Sequence, residues 1–214
     1  MNVSKESLRL YAVTDSQWLG SRTLPQAVEE AILGGATFIQ LREKNLDTPS
    51  RIALAQQVKS VTDRYHIPFV VNDDVQAALA CGADGVHVGQ EDMQAADVRC
   101  LIGPDKILGV SAQTVEQALL AEANGADYLG VGAVFSTSTK ADAVEVPYDT
   151  LRAICQAVSI PVIAIGGIKA SNVQALQESG IVGIAVVSGI FAAPDITAAA
   201  RELDEAVDTM LRQN

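Results

Sequence analysis

Aromatic side chains make up only 4% of these 214 residues, tryptophan occurs once and histidine twice. With 15 Lys and Arg against 26 Asp and Glu, the formal net charge is -11. A chain so acidic, with no basic block and no interleaved run of rings, repels nucleic-acid phosphates and offers bases little to stack on. Nucleic acid is therefore excluded as a partner. Cysteine is sparse as well: Cys81, Cys100 and Cys155 are an odd number, widely separated, and none sits in a CxxC or HxxxH spacing. That argues against a disulfide framework and a zinc site, and for reduced thiols packed on the helices of a cytoplasmic protein. Long hydrophobic runs are missing. The most apolar stretch, GIVGIAVVSGIFAAP, is interrupted by Ser188 and falls short of the roughly 20 residues a membrane helix needs. The first residues, MNVSKESLRLYAVTD, scatter charge ahead of any apolar run and do not read as a signal peptide. A soluble protein without a membrane partner is expected. No Pro/Ser-rich linker breaks the chain, so residues 1–214 are read as one domain.

What the sequence does have is a 49% hydrophobic content arranged in repeats. Short β-branched runs recur: LYAVTD, FIQLRE, FVVND, GVHVGQ, ILGVSA, YLGVGAVF, PVIAIGG and GIAVVSG. Between most of them lie segments with helical periodicity, such as PQAVEEAILGG, TVEQALLAEANGA and SNVQALQESG. Gly34, Gly82, Gly125 and Gly180 stand where helices end, and a left-handed terminal residue is easiest for glycine. Strands alternating with helices imply a parallel sheet buried on both faces. Eight such units predict an α/β fold, a single (β/α)8 barrel. The competing open doubly wound sheet lacks its GxGxxG turn after the first strand.

In such a barrel the loops after the strands form the active face, and the polar residues fall there. Gln40, Arg42 and Lys44 alternate along FIQLREK, which in a strand aims all three at one face, with Ile39 and Leu41 on the other. Asn72, Asp73 and Asp74 follow the third run and read either as caps of the next helix or as functional groups. Asp92 reads as a cap of a helix starting near Met93 or, paired with Asp73, as a ligand of an oxygen-preferring Mg2+ completed by substrate phosphate. STSTK, residues 136–140, combines hydroxyls with a cation, as a phosphate clamp or as a solvated loop. Gly166, Gly167, Ser188 and Gly189 end the seventh and eighth strands, where this barrel holds phosphate on backbone N–H groups; tight turns are the plainer reading. His87 reads as a base or as a hydrogen-bonded core residue. Trp18 either lines the mouth or lies in a surface loop.

The pieces YAVTD, QLREK, VNDD, GVHVGQED, GVSAQT, GVGAVFSTSTK, AIGGI and VVSGI occur in order and at the approximate spacing of the thiamine-phosphate synthase family, which the chain resembles over essentially its whole length. The resemblance implies a transferase that joins 4-amino-2-methyl-5-pyrimidinylmethyl diphosphate to a thiazole monophosphate with Mg2+ assistance. It implies pyrimidine diphosphate contacts at Gln40, Arg42, Lys44, Asn72 and Lys140, Mg2+ ligands at Asp73 and Asp92, and a diphosphate contact at Ser111. Thr137, Thr139, Gly167, Val187 and Ser188 are implied for the thiazole phosphate. Of these, Arg42, Lys44, Lys140 and Ser111 are expected to act on the leaving group. Two other readings are an isomerase of thiazole phosphate, which needs no diphosphate half, and a non-catalytic barrel that binds a phosphorylated ligand. Whether the protein is a monomer or a homo-oligomer is left open by the sequence.

Overall fold

A computed structural model of the protein describes residues 3–137 and 145–212. Eight strands, β1 (Leu10–Val13), β2 (Phe38–Leu41), β3 (Phe69–Asn72), β4 (Gly85–Val88), β5 (Ile107–Ala112), β6 (Tyr128–Val131), β7 (Val162–Ile165) and β8 (Gly183–Val186), pair in chain order, all parallel. The ring closes where Leu10, Tyr11 and Ala12 of β1 meet Ile184, Ala185 and Val186 of β8. Closure leaves no unpaired edge, which strands this short and apolar require.

Each strand alternates between two cores. Leu10, Ala12, Ile39, Leu41, Phe69, Val71, Val86, Val88, Leu108 and Val110 face outward to the helices, whereas Tyr11, Val13, Phe38, Val70, Ile107, Tyr128, Ile163 and Ala185 fill the lumen. The helices laid over the outer face begin on short polar caps. Thr23 and Gln26 form a capping box at α1 (Leu24–Leu33), and Asp47, Asp74 and Thr114 accept backbone N–H bonds at α2 (Thr48–Tyr65), α3 (Val75–Ala80) and α5 (Val115–Ala123). The remaining helices are α4 (Ala95–Ile102), α6 (Tyr148–Ala157), α7 (Ser188–Phe191) and α8 (Ile196–Leu211). The floor of the lumen is sealed by Val3 and Leu8, from the segment ahead of β1.

Three local expectations fail. SNVQALQESG is not an α-helix: it holds a 3-10 turn, Val173–Leu176, between β7 and β8. Only Val173 and Leu176 of that turn are buried, and a three-residue spacing eclipses them on one side. Gly34 keeps a right-handed backbone, and its neighbour Gly35, at φ +114, takes the turn. The alternation from Gln40 stops short of Lys44, because β2 ends at Leu41 and Lys44 lies exposed in a turn.

Candidate active site

The mouth is assembled from strand ends pinned beyond their last ladder bond. Thr14, fully buried after β1, donates its backbone N–H to the Gln40 carbonyl at 2.9 Å. Its hydroxyl accepts the Arg42 N–H at 3.0 Å and donates to the Glu43 carboxylate at 3.1 Å. Burial pushes the Glu43 carboxyl up, against hydrogen bonds from Ser16 and Thr14. The turn that follows is held by Arg51 of α2, which donates to the carbonyls of Glu43 at 3.1 Å and Leu46 at 2.6 Å and pairs with Asp74 at 2.5 Å. Asp74 is thus the helix cap of the VNDD stretch. Burial alone would raise its carboxyl, but bonds from Ala77 N–H, Arg51 and Thr48 hold it below the usual range.

Asp73 is different. It adopts a left-handed backbone, φ +63, that few non-glycine residues accept, with its N–H bonded to the His87 carbonyl at 2.8 Å. The turn directs its carboxyl toward Asp92 rather than onto α3, and Asn72 donates to it. Crowding by surrounding atoms, then the hydrogen bond and charge of Asp92, push the Asp73 carboxyl up to about 7, while Lys44 and Arg42 pull it down. Arg42, Lys44, Asp73 and Asp92 are therefore within electrostatic reach of one another. Asp92 caps no helix. Its carboxylate accepts the Gly89 N–H at 2.8 Å, closing the turn after β4, and α4 starts only at Ala95 behind Gln94.

Two facing carboxylates that resist joint ionisation suit an oxygen-preferring divalent cation. No cluster of three or more His, Cys, Asp or Glu able to hold a metal occurs among the described residues, so an ion on Asp73 and Asp92 would take its other ligands from phosphate oxygens and water. A cavity of about 550 Å³ opens beside the pair, lined by Lys44, Asn72, Asp73, Arg51 and Met93 among others.

Inside the mouth, Gln40 and Ser111 point into the lumen from β2 and β5. Gln40, 5% exposed, donates to the Tyr11 hydroxyl at 2.8 Å, and Ser111 meets His87 Nε2 at 3.0 Å. His87 is a buried, hydrogen-bonded residue, its other nitrogen 2.9 Å from the Tyr128 hydroxyl. Burial pushes its pKa down to about 4 against the charge of Asp92, so the ring is neutral near pH 7. Tyr11 and Tyr128 escaped the sequence reading. Their signal was an inward register shared with Gln40 and His87, visible only once the strands are paired.

On the opposite side, the loops after β6 and β7 lie against each other. Val134 and Phe135 donate to the carbonyls of Ile165 and Gly166 at 2.9 and 3.1 Å. A Cβ on Gly167, φ +65, would stand 2.5 Å from the Ser136 carbonyl, so only glycine permits this approach. Thr137 follows directly. Val187 follows β8 and caps α7, which starts at exposed Ser188 and whose Gly189 packs under the Ile168 carbonyl. Thr139 and Lys140 lie outside the described residues. The 550 Å³ cavity takes in none of Thr137, Gly167, Val187 or Ser188, which form a separate flank of the mouth.

A closed parallel barrel with paired carboxylates, two cations and glycine-rich loops at its strand C-termini has the architecture of a (β/α)8 enzyme. The sequence profile described as thiamine monophosphate synthase matches residues 10–190, and the chain belongs to that family of transferases in thiamine biosynthesis. A thiamine-phosphate synthase of Ruminiclostridium cellulolyticum is 54% identical over 202 residues, 94% of this chain and 96% of the relative. Another, of Chloroflexus aurantiacus, is 52% identical over 196 residues, 91% of this chain and 90% of the relative. Among solved structures, a thiamine phosphate pyrophosphorylase of Pyrococcus furiosus superposes with a TM-score of 0.89 at 40% identity, covering 97% of this chain and 98% of its own.

Proposed function

We propose that the enzyme condenses 4-amino-2-methyl-5-pyrimidinylmethyl diphosphate with 4-methyl-5-(2-phosphoethyl)thiazole, or its carboxylated form, to give thiamine phosphate and diphosphate. The observation that carries this reading is the pairing of Asp73 with Asp92 under the charges of Arg42 and Lys44, beside a cavity that reaches Asn72. Mg2+ held by Asp73 and Asp92 would neutralise charge on the diphosphate. A diphosphate ester carries roughly -3 near neutral pH by extension from phosphate monoesters. Arg42, Lys44 and Lys140 offset the remainder, and Ser111 adds a hydroxyl. The reaction proceeds dissociatively: the C–O bond to diphosphate breaks first, and the thiazole nitrogen then captures the pyrimidine-stabilised carbocation. No protein nucleophile is needed, and preorganised donors aimed at the departing oxygens lower the barrier. Gln40 and Asn72 orient the pyrimidine half. Thr137, Thr139, Gly167, Val187 and Ser188 hold the thiazole phosphate on the other flank, where glycine lets the backbone come close to an anion.

Mixing both substrates with the protein and following thiamine phosphate and diphosphate tests the reading. Product should form in a Mg2+-dependent manner, and Arg42→Ala should slow turnover by roughly 100-fold, the effect of losing one such donor. Equal rates with and without divalent cation would remove Asp73 and Asp92 from metal binding, and an unchanged Arg42→Ala turnover would remove Arg42 from leaving-group stabilisation.

A further inference from the structure

Four hydrogen bonds run end to end through the lumen. Gln40 Nε2 donates to the Tyr11 hydroxyl at 2.8 Å, and the Tyr11 and Tyr128 hydroxyls are 2.8 Å apart. The Tyr128 hydroxyl lies 2.9 Å from His87 Nδ1, and His87 Nε2 lies 3.0 Å from Ser111 Oγ. The two ends, Gln40 and Ser111, stand at the mouth, and of the five only Ser111 is not fully buried.

A phenol has one hydrogen to give. With Gln40 donating to Tyr11, the polarity that uses the Tyr11 hydrogen within the chain sends it to Tyr128, and the Tyr128 hydrogen in turn to His87 Nδ1. A neutral imidazole that accepts at Nδ1 carries its hydrogen on Nε2, and that hydrogen goes to Ser111. Ser111 then accepts from below and keeps its own hydrogen for the mouth. In the reverse polarity Tyr11 would accept from both Gln40 and Tyr128, and Ser111 would spend its hydrogen on His87 and present only lone pairs to an anion.

We propose that Gln40, Tyr11, Tyr128 and His87 form a polarised hydrogen-bond relay whose output is the Ser111 hydroxyl, held as a donor toward an oxygen of the departing diphosphate. His87 and Tyr128 are positioning residues: they touch no reacting atom and act through Ser111. The inference rests on the transferase reading for its ligand, although not for its polarity. The surroundings are shaped to the relay. A Cβ on Gly109 would stand 2.2 Å from the Tyr128 ring and 2.5 Å from His87 Nδ1, and the Ser111 backbone is anchored from outside by Gln90, which donates to its carbonyl at 2.6 Å.

The protein has only two histidines, so 15N-imidazole NMR of the intact, ligand-free chain at pH 7.5, with His87→Gln for assignment, reads the tautomer directly. The relay requires an acceptor-type Nδ1 and a protonated Nε2; a proton on Nδ1 overturns it. Kinetics supply the second readout. Tyr128→Phe keeps the ring and should lower kcat about tenfold with the KM for thiazole phosphate unchanged, and should cost nothing more in a Ser111→Ala background. An equal loss from Tyr128→Phe in both backgrounds would mean that Tyr128 does not act through Ser111. If the wild-type chain forms no product, the transferase reading fails, and the tautomer still decides the polarity.

Discussion

His87 carries two consequences at the scale of a single residue. Beyond its place in the lumen, it is a buried base whose pKa is pushed by burial from the ordinary 6.5 down to about 4. The unfolded chain binds this proton more readily than the native one, so the associated stability is present above pH 6.5 and lost as pH falls toward about 4. From pH 7 to pH 5 the loss should be roughly 2 kcal/mol, and urea unfolding of His87→Gln should lack that part of the slope. Asp73, raised to about 7, contributes with the opposite sign: its term is fully present below pH 3.8 and lost as pH rises through about 7. The informative quantity is therefore the difference between wild type and variant. That Gln40 lies on the opposite face of its strand from Ile39 and Leu41 was legible in the sequence, since alternation along a strand needs no tertiary information; which face turns into the lumen was not. Lys44 was not, because nothing in REKN announces that β2 stops at Leu41 and that Arg51, reaching from α2, fixes the turn. Helix capping was open to Asp73 and Asp74 alike, although only Asp73 was paired with Asp92. Only the backbone at φ +63 separates the residue facing Asp92 from the one capping α3.

At the scale of elements, the strands owe their approach to particular glycines. Gly109 on β5 sits against Tyr128 and His87, from β6 and β4, with no room for a methyl group, whereas a Cβ on Gly130 of β6 would meet His87 Cε1 at 3.3 Å. Gly109→Ala should therefore destabilise the fold by about 1–3 kcal/mol, the usual range for overpacking, and Gly130→Ala by much less. Chemical denaturation of the two variants side by side measures the contrast. The β-branched runs announced all eight strands, because each is apolar on both faces and bounded by polar or glycine residues. The 3-10 turn at Val173–Leu176 was hidden: spacing by three and spacing by four look alike over so few residues, and contact of Gln174 with the Ala206 carbonyl of α8 is a long-range fact.

Taken as a whole molecule, the barrel rests on a lumen packed by rings. Tyr11, Phe38 and Tyr128 lie with centroids 4.5 to 5.9 Å apart, all essentially unexposed. A chain with 4% aromatic residues places three of its few at the centre. Phe38→Ala should cost about 3–5 kcal/mol through lost burial and the cavity left behind, whereas Leu119→Ala, 45% exposed on α5, should stay within about 0.5 kcal/mol, both read from denaturation midpoints. Barrel closure was legible from the count of units. The division of the mouth into a carboxylate flank and a glycine flank was legible only in part, since it depends on which loops touch.

Val3 and Leu8, from the segment ahead of β1, pack into the lumen cluster and cover the end of the barrel away from the mouth. Whatever binds among the strand ends therefore enters and leaves by the rim on the opposite side from that cover.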